Sequence, residues 1–110
     1  MAPSIFVVLT NPVPGREDEY NQWYSTTHLS DVCAIKGFAG AQRYRLADAP
    51  SDQKALEGFR YMCIYEFAAD AVPEDVLTRL SAAANAGELA RSEALALDPS
   101  PRTLVYDAIP

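Results

Sequence analysis

The chain has 110 residues, 49% hydrophobic and 22% charged, with nine Lys+Arg against fifteen Asp+Glu for a formal charge of -6. That length suits one domain spanning residues 1–110 and leaves too little chain for two cores, and the composition lies well away from the polar, highly charged range of disordered chains. The acidic balance repels a phosphate backbone, so nucleic acid is not expected as a partner; no apolar run nears the roughly 20 residues needed to cross a bilayer, so no membrane partner is expected either.

Ser4–Thr10 is a β-branched and aromatic run that ends at Asn11-Pro12-Val13-Pro14-Gly15, a cluster that cannot continue a strand. The first ten residues lack the basic start and long apolar middle of an export signal, so a cytoplasmic protein is expected. From Arg16 the spacing becomes helical, with Glu17, Asp18 and Glu19 in a first turn where the helix dipole favours acids. Tyr20, Trp23, Tyr24, Thr27, His28, Asp31 and Val32 then recur at intervals of three and four and are expected to form one stripe, ended by Gly37.

Phe38–Leu46 reads as a second strand and Ala47–Glu57 as a polar loop. In Phe59–Phe67 the alternation is strong, with Phe59, Tyr61, Cys63, Tyr65 and Phe67 on one face. Pro73 opens a second helix whose buried stripe is Val76, Leu77, Leu80 and Ala83 or Ala84. Asn85-Ala-Gly87 interrupts it, Glu88–Leu95 is expected to form a further short helix, and after Asp98-Pro-Ser-Pro101 a last strand runs over Arg102–Ile109.

The predicted order is βαββαβ, an α+β fold of ferredoxin-like topology with a four-stranded antiparallel sheet and helices on one face. Apolar residues on both sides of the first and third strands make a water-covered open face unfavourable, and a second copy of the sheet is the simplest cover, so a homodimer is expected. Cys33 and Cys63 belong to no CxxC or Cys/His cluster and read as small buried apolar residues with free thiols.

His28 is the sole histidine, and its side chain is the one whose ordinary pKa lets it exchange protons near neutrality. Tyr24 four residues before it and Asp31 three after project from adjacent helical turns. In that geometry Asp31 holds the imidazole tautomer and Tyr24 donates to a developing oxyanion, a proton-transfer arrangement of three catalytic candidates. The bland alternative is a boundary histidine among core aromatics beside a solvated Asp31. Trp23, Tyr20 and Tyr65 supply more ring area than a small core needs and are candidates to line a pocket for a flat apolar substrate. Arg43 is a weaker candidate, for a carboxylate or an internal salt bridge, and so is Asn11, as a donor to a ligand carbonyl or a turn cap. No metal is expected, since one histidine without paired carboxylates supplies too few ligands; axial heme ligation needs only one histidine and stays open on counting.

Tyr20-Asn-Gln-Trp23-Tyr24-Ser-Thr-Thr-His28-Leu29, preceded by a strand and an Asn-Pro-x-Pro-Gly loop and followed by Gly37-Phe38 and Gln42-Arg43-Tyr44, resembles the EthD-like branch of the dimeric α+β barrel superfamily. The likeness covers the first half of the chain in its motif, with Trp23, Tyr24 and His28 matching, and the second half as topology alone. Where that family often has a proline after the histidine, this chain has Leu29-Ser30. The resemblance implies a ferredoxin-like homodimer with two facing sheets and a cavity between each sheet and its helices. Similar cavities serve cofactor-free polyketide cyclases, lactone isomerases, quinone-forming monooxygenases and heme-degrading enzymes, so fold does not choose the reaction. The expectation is a cofactor-independent isomerase, lyase or cyclase acting on a small aromatic, polyketide-like or lactone substrate. The alternatives are a cofactor-free monooxygenase and a non-catalytic binder of small molecules, heme included.

Overall fold

The computed structural model describes residues 4–48 and 58–110. Strands β1 (Ser4–Thr10), β2 (Phe38–Arg45), β3 (Tyr61–Phe67) and β4 (Arg102–Asp107) form one antiparallel sheet in the order β2-β3-β1-β4. Between β1 and β2 run helix α1 (Glu17–Trp23), a π-helical turn over Tyr24–His28 and helix α2 (Leu29–Cys33); helix α3 (Pro73–Asn85) joins β3 to β4. This is the predicted βαββαβ order, and the sheet is the ferredoxin-like one. The expected Ala47–Glu57 loop lies for the most part outside the described residues.

The alternation read in β3 is the alternation of its burial: Phe59, Tyr61, Cys63, Tyr65 and Phe67 are all buried. The last four join Phe6 of β1, Tyr20, Tyr24 and Val32 of the first helical run and Val76 of α3 in one cluster, so both helices cover the same sheet face. The stripe of α3 is as predicted, with Val76 and Ala83 buried and Leu77 and Leu80 packed at the margin. Gly37, at φ +111°, is a position only glycine fits without strain: a Cβ there would run into Val76 Cγ2, and its own carbonyl accepts Ala68 N–H at 2.7 Å.

On the opposite face, register places Val7 beside Ile64 and Leu104, and Ile5 beside Tyr106. Among the described residues no helix covers that side, and Tyr44, Leu104 and Tyr106 stand 48%, 39% and 53% exposed. Edge strand β4 is exposed along its whole length.

Two predicted elements differ. The first helix is one run in space but not one stripe, because its middle widens into a π turn in which Leu29 N–H reaches back five residues to the Tyr24 carbonyl. Ser25-Thr26-Thr27 is poor helix sequence, and Thr26 Oγ1 donates to the Gln22 carbonyl at 2.5 Å, competing with the α-helical ladder.

The short helix expected over Glu88–Leu95 is absent; those residues form an irregular strap with a bend at Leu89 and a turn at Glu93-Ala94. Val13 N–H donates to the Ala94 carbonyl at 2.7 Å and Ala96 N–H to the Asn11 carbonyl at 2.9 Å, around a bridge between Pro12 and Leu95. Lateral pairing to the loop after β1, with Ala94 fully buried, outweighs local helix propensity. Among the described residues no helix is long and apolar enough to cross a membrane.

Candidate functional site

The helical run, α3 and the strap border a half-open, largely apolar cavity of about 660 Å³, walled by Trp23, His28, Ala84, Leu89, Leu95 and Leu97 and lined also by the charged Arg91 and Glu93. Its volume falls in the range of small-molecule sites. Trp23 and His28 reach it together because of the π turn: their rings stack with centroids 4.7 Å apart and planes at 26°. Residues five apart stand roughly 140° apart around an ordinary α-helix; the widened turn closes that angle. Tyr24 meets the imidazole edge-on at 5.0 Å from behind, in the core.

The histidine is thus held by two rings and is largely withdrawn from water. Burial pushes its pKa below the ordinary 6.5, the Asp31 charge pulls it partway back and Arg43 pushes it down again. The imidazole is therefore neutral at pH 7. Its buried Nδ1 has no hydrogen-bond partner among the described residues.

The hydrogen bond expected between Asp31 and the imidazole is not formed. Asp31 Oδ2 instead accepts Ala90 N–H at 3.0 Å, and Trp23 Nε1 donates to the Ala90 carbonyl at 3.0 Å. The catalytic candidates are close in space, yet Asp31 faces the strap and Tyr24 is 2% exposed and outside the cavity wall.

Tyr24, Tyr65 and Cys63 form a buried polar cluster beneath the site. The two phenols and the thiol are left to interact with one another, and burial pushes all three up, so they stay protonated. Cys33 and Cys63 are free thiols. Tyr20 is fully buried and its hydroxyl is paired with Thr10 Oγ1.

Arg43 makes no salt bridge among the described residues. Its guanidinium lies 4.3 Å over the Tyr24 ring, 5.3 Å from that of Tyr20 and 5.5 Å from that of Tyr61, and donates to Ser25 Oγ at 2.8 Å and Asn21 Oδ1 at 3.0 Å. Asn11 lies apart, in a cleft of about 290 Å³, where Nδ2 donates to the Gly58 carbonyl at 3.1 Å and Oδ1 accepts Arg60 N–H at 2.8 Å; it clamps the entry to β3. The structure therefore brings Trp23 and His28 to the cavity and leaves Tyr20, Tyr24, Tyr65, Arg43 and Asn11 off its wall.

The strap is the part of the site that sequence reasoning missed, and Asn21 and Ser25 were missed as partners of Arg43. The latter were in reach, since both lie at helical spacing on the face that meets β2; the strap had no local signal.

No protein-family model matches the chain, and no curated protein matches it at a significant level. Solved structures share the fold. A proposed monooxygenase from Shewanella loihica PV-4 is 14% identical, with a TM-score of 0.60 over 100% of this chain and 98% of its own. An ethyl tert-butyl ether (EthD) family protein from Bacillus halodurans C-125 is 15% identical, with a TM-score of 0.60 over 97% of this chain and 99% of its own. At these identities the likeness is one of fold, and the fold is the ferredoxin-like α+β one that the first-helix motif implied.

Proposed function

We propose that this chain is a cytoplasmic, cofactor-independent enzyme of isomerase, lyase or cyclase type, in which His28 moves a proton on a small aromatic, polyketide-like or lactone substrate. One observation carries the reading: a neutral imidazole, stacked on Trp23, stands in the wall of a largely apolar cavity whose other ionisable lining groups, Arg91 and Glu93, come from the strap. A flat substrate packs against the leucines of the strap. The His28 ring then takes a proton from a carbon next to a carbonyl, or hands one to the oxygen, the ordinary work of a positioned imidazole. Tyr24 supports the ring from behind as a protonated phenol, and Asp31 and Arg43 set its charge balance from either side.

Turnover of a lactone or polyketide-like carbonyl substrate tests this. His28→Gln and His28→Ala are expected to lower it by about 10²–10⁴ with folding intact, and activity that survives both replacements removes His28 from the mechanism.

A second reading is a cofactor-free monooxygenase, favoured by the fold shared with the proposed monooxygenase of Shewanella loihica. It uses the same base on a phenolic substrate and consumes oxygen, so product formed under strict anaerobiosis eliminates it. A non-catalytic binder, of heme for instance, differs from both in having no turnover; a Soret band on reconstitution that vanishes in His28→Ala identifies it.

A further inference from the structure

We propose that Asp31 is a positioning residue that acts through Ala90: together with Trp23 it latches the strap that walls the half-open cavity, and release of that latch widens a ligand's way to His28. The inference rests on the reading of this cavity as a ligand site, but its geometry is separate. Both backbone groups of Ala90 are bonded to the first helical run, its N–H by the Asp31 carboxylate and its C=O by the Trp23 indole, each at 3.0 Å. These two residues flank His28 in sequence. A single strap residue is thus tied to both sides of the histidine.

The rest of the strap is tethered elsewhere. At one end Glu88 N–H donates to the Ala83 carbonyl at 2.9 Å, beside Gly87 at φ +75° with open space around it; at the other, Ala94 and Ala96 pair with the loop after β1. Among the described residues, the bonds at Ala90 are the hydrogen bonds that tie the strap to the helical run bearing His28; a looser ion pair joins Glu93 to Arg16, at the far end of that run, at 3.9 Å. Its neighbours Leu89, Arg91 and Ser92 all line the cavity, so freeing Ala90 moves the wall. The competing role, in which Asp31 steadies the imidazole directly, lacks its bond: Nδ1 has no partner and Asp31 Oδ2 is engaged with Ala90.

Asparagine and alanine separate the two roles. Asp31→Asn loses the charge but keeps an oxygen that accepts from Ala90 N–H, whereas Asp31→Ala loses both. Amide hydrogen exchange at Ala90, with stopped-flow binding of 1-naphthol followed by Trp23 emission, reads the latch without any assumption about turnover. Asp31→Ala is expected to speed exchange at Ala90 by roughly ten- to a hundredfold, the size of a lost hydrogen bond to a charged group, and to raise both association and dissociation rates of 1-naphthol. Asp31→Asn is expected to stay within a few-fold of wild type.

Trp23→Phe cuts the bond to the Ala90 carbonyl, keeps an aromatic ring and leaves the Ala90 N–H bonded to Asp31, so faster exchange there, by a smaller factor than in Asp31→Ala, reports the strap loosening as a unit, and it stands as the test if Asp31→Ala does not fold. Equal protection in wild type and the latch-cutting variant overturns the proposal, and so does an Asp31→Asn protein as exposed as Asp31→Ala. Loss of protection in an otherwise inactive protein leaves the latch standing while the proposed reaction fails.

Discussion

Trp23 and His28 lie five residues apart and stack face to face, a pairing that an unbroken α-helix does not make. The indole is the only tryptophan of the chain, so its emission reports on the ring beside it. A charged imidazole at this distance quenches an indole, and we expect Trp23 fluorescence to fall on acidification with a midpoint below 6.5, in step with His28 ring shifts measured by NMR. In His28→Gln the fluorescence step disappears.

The same depressed pKa links stability to pH. The unfolded chain takes up its histidine proton near 6.5, before the folded protein does, so protons favour the unfolded state over that window. Stability is fully present above about pH 6.5, is lost as pH falls toward the folded-state pKa, and gains no further loss from this group below it. Urea denaturation between pH 5 and 8 is expected to show that slope in wild type and a shallower one in His28→Gln.

Asp31 and Arg43 pull the imidazole in opposite directions, Asp31 upward and Arg43 downward. Asp31→Asn is therefore expected to lower the His28 titration midpoint, and Arg43→Met to raise it. Arg43→Met also removes a cation lying over three tyrosine rings, which costs about 1 kcal/mol of stability. Shifts of the same sign in both variants contradict the placement of these two charges about the ring.

Gly37 combines a positive φ with close approach to Val76. Gly37→Ala is expected to destabilise by about 2–4 kcal/mol, the sum of backbone strain and an overpacked contact. A change under about 0.5 kcal/mol by chemical denaturation shows that α3 yields at this point more easily than a packed interior does.

The apolar open face leads us to expect a homodimer in solution, with a second sheet laid on Tyr44, Leu104 and Tyr106. Leu104→Lys puts a charge at that face without touching the core cluster and is expected to give a folded monomer by light scattering. Wild-type protein that is monomeric at tens of micromolar ends this reading.

Much of the fold was legible because its signals are local and periodic. The β3 alternation, the proline opening α3 and the acids opening α1 each report a burial pattern or an end effect within a few residues. Of the site, His28 and Trp23 are legible, but α-helical spacing links His28 with Tyr24 and Asp31 instead of with Trp23. The π turn changes that arithmetic, and its cause, a threonine hydroxyl bonding back to a carbonyl in a β-branched stretch, is too weak a signal to read unaided. The strap is illegible for a different reason: Glu88–Leu95 carries helix-forming residues, and contacts with Asn11, Val13, Arg16, Trp23 and Asp31, all distant in sequence, hold it out of the helix.

The widened turn behaves as a single inserted residue. Deleting one residue there would rewind the spiral and swing everything on one side of it through roughly 100°, parting indole from imidazole without changing either. Residue count between those two rings is then a determinant of chemistry in its own right. An ungapped alignment against a relative whose first helix lacks the insertion falls one position out of phase, so that equivalent histidines no longer lie opposite each other.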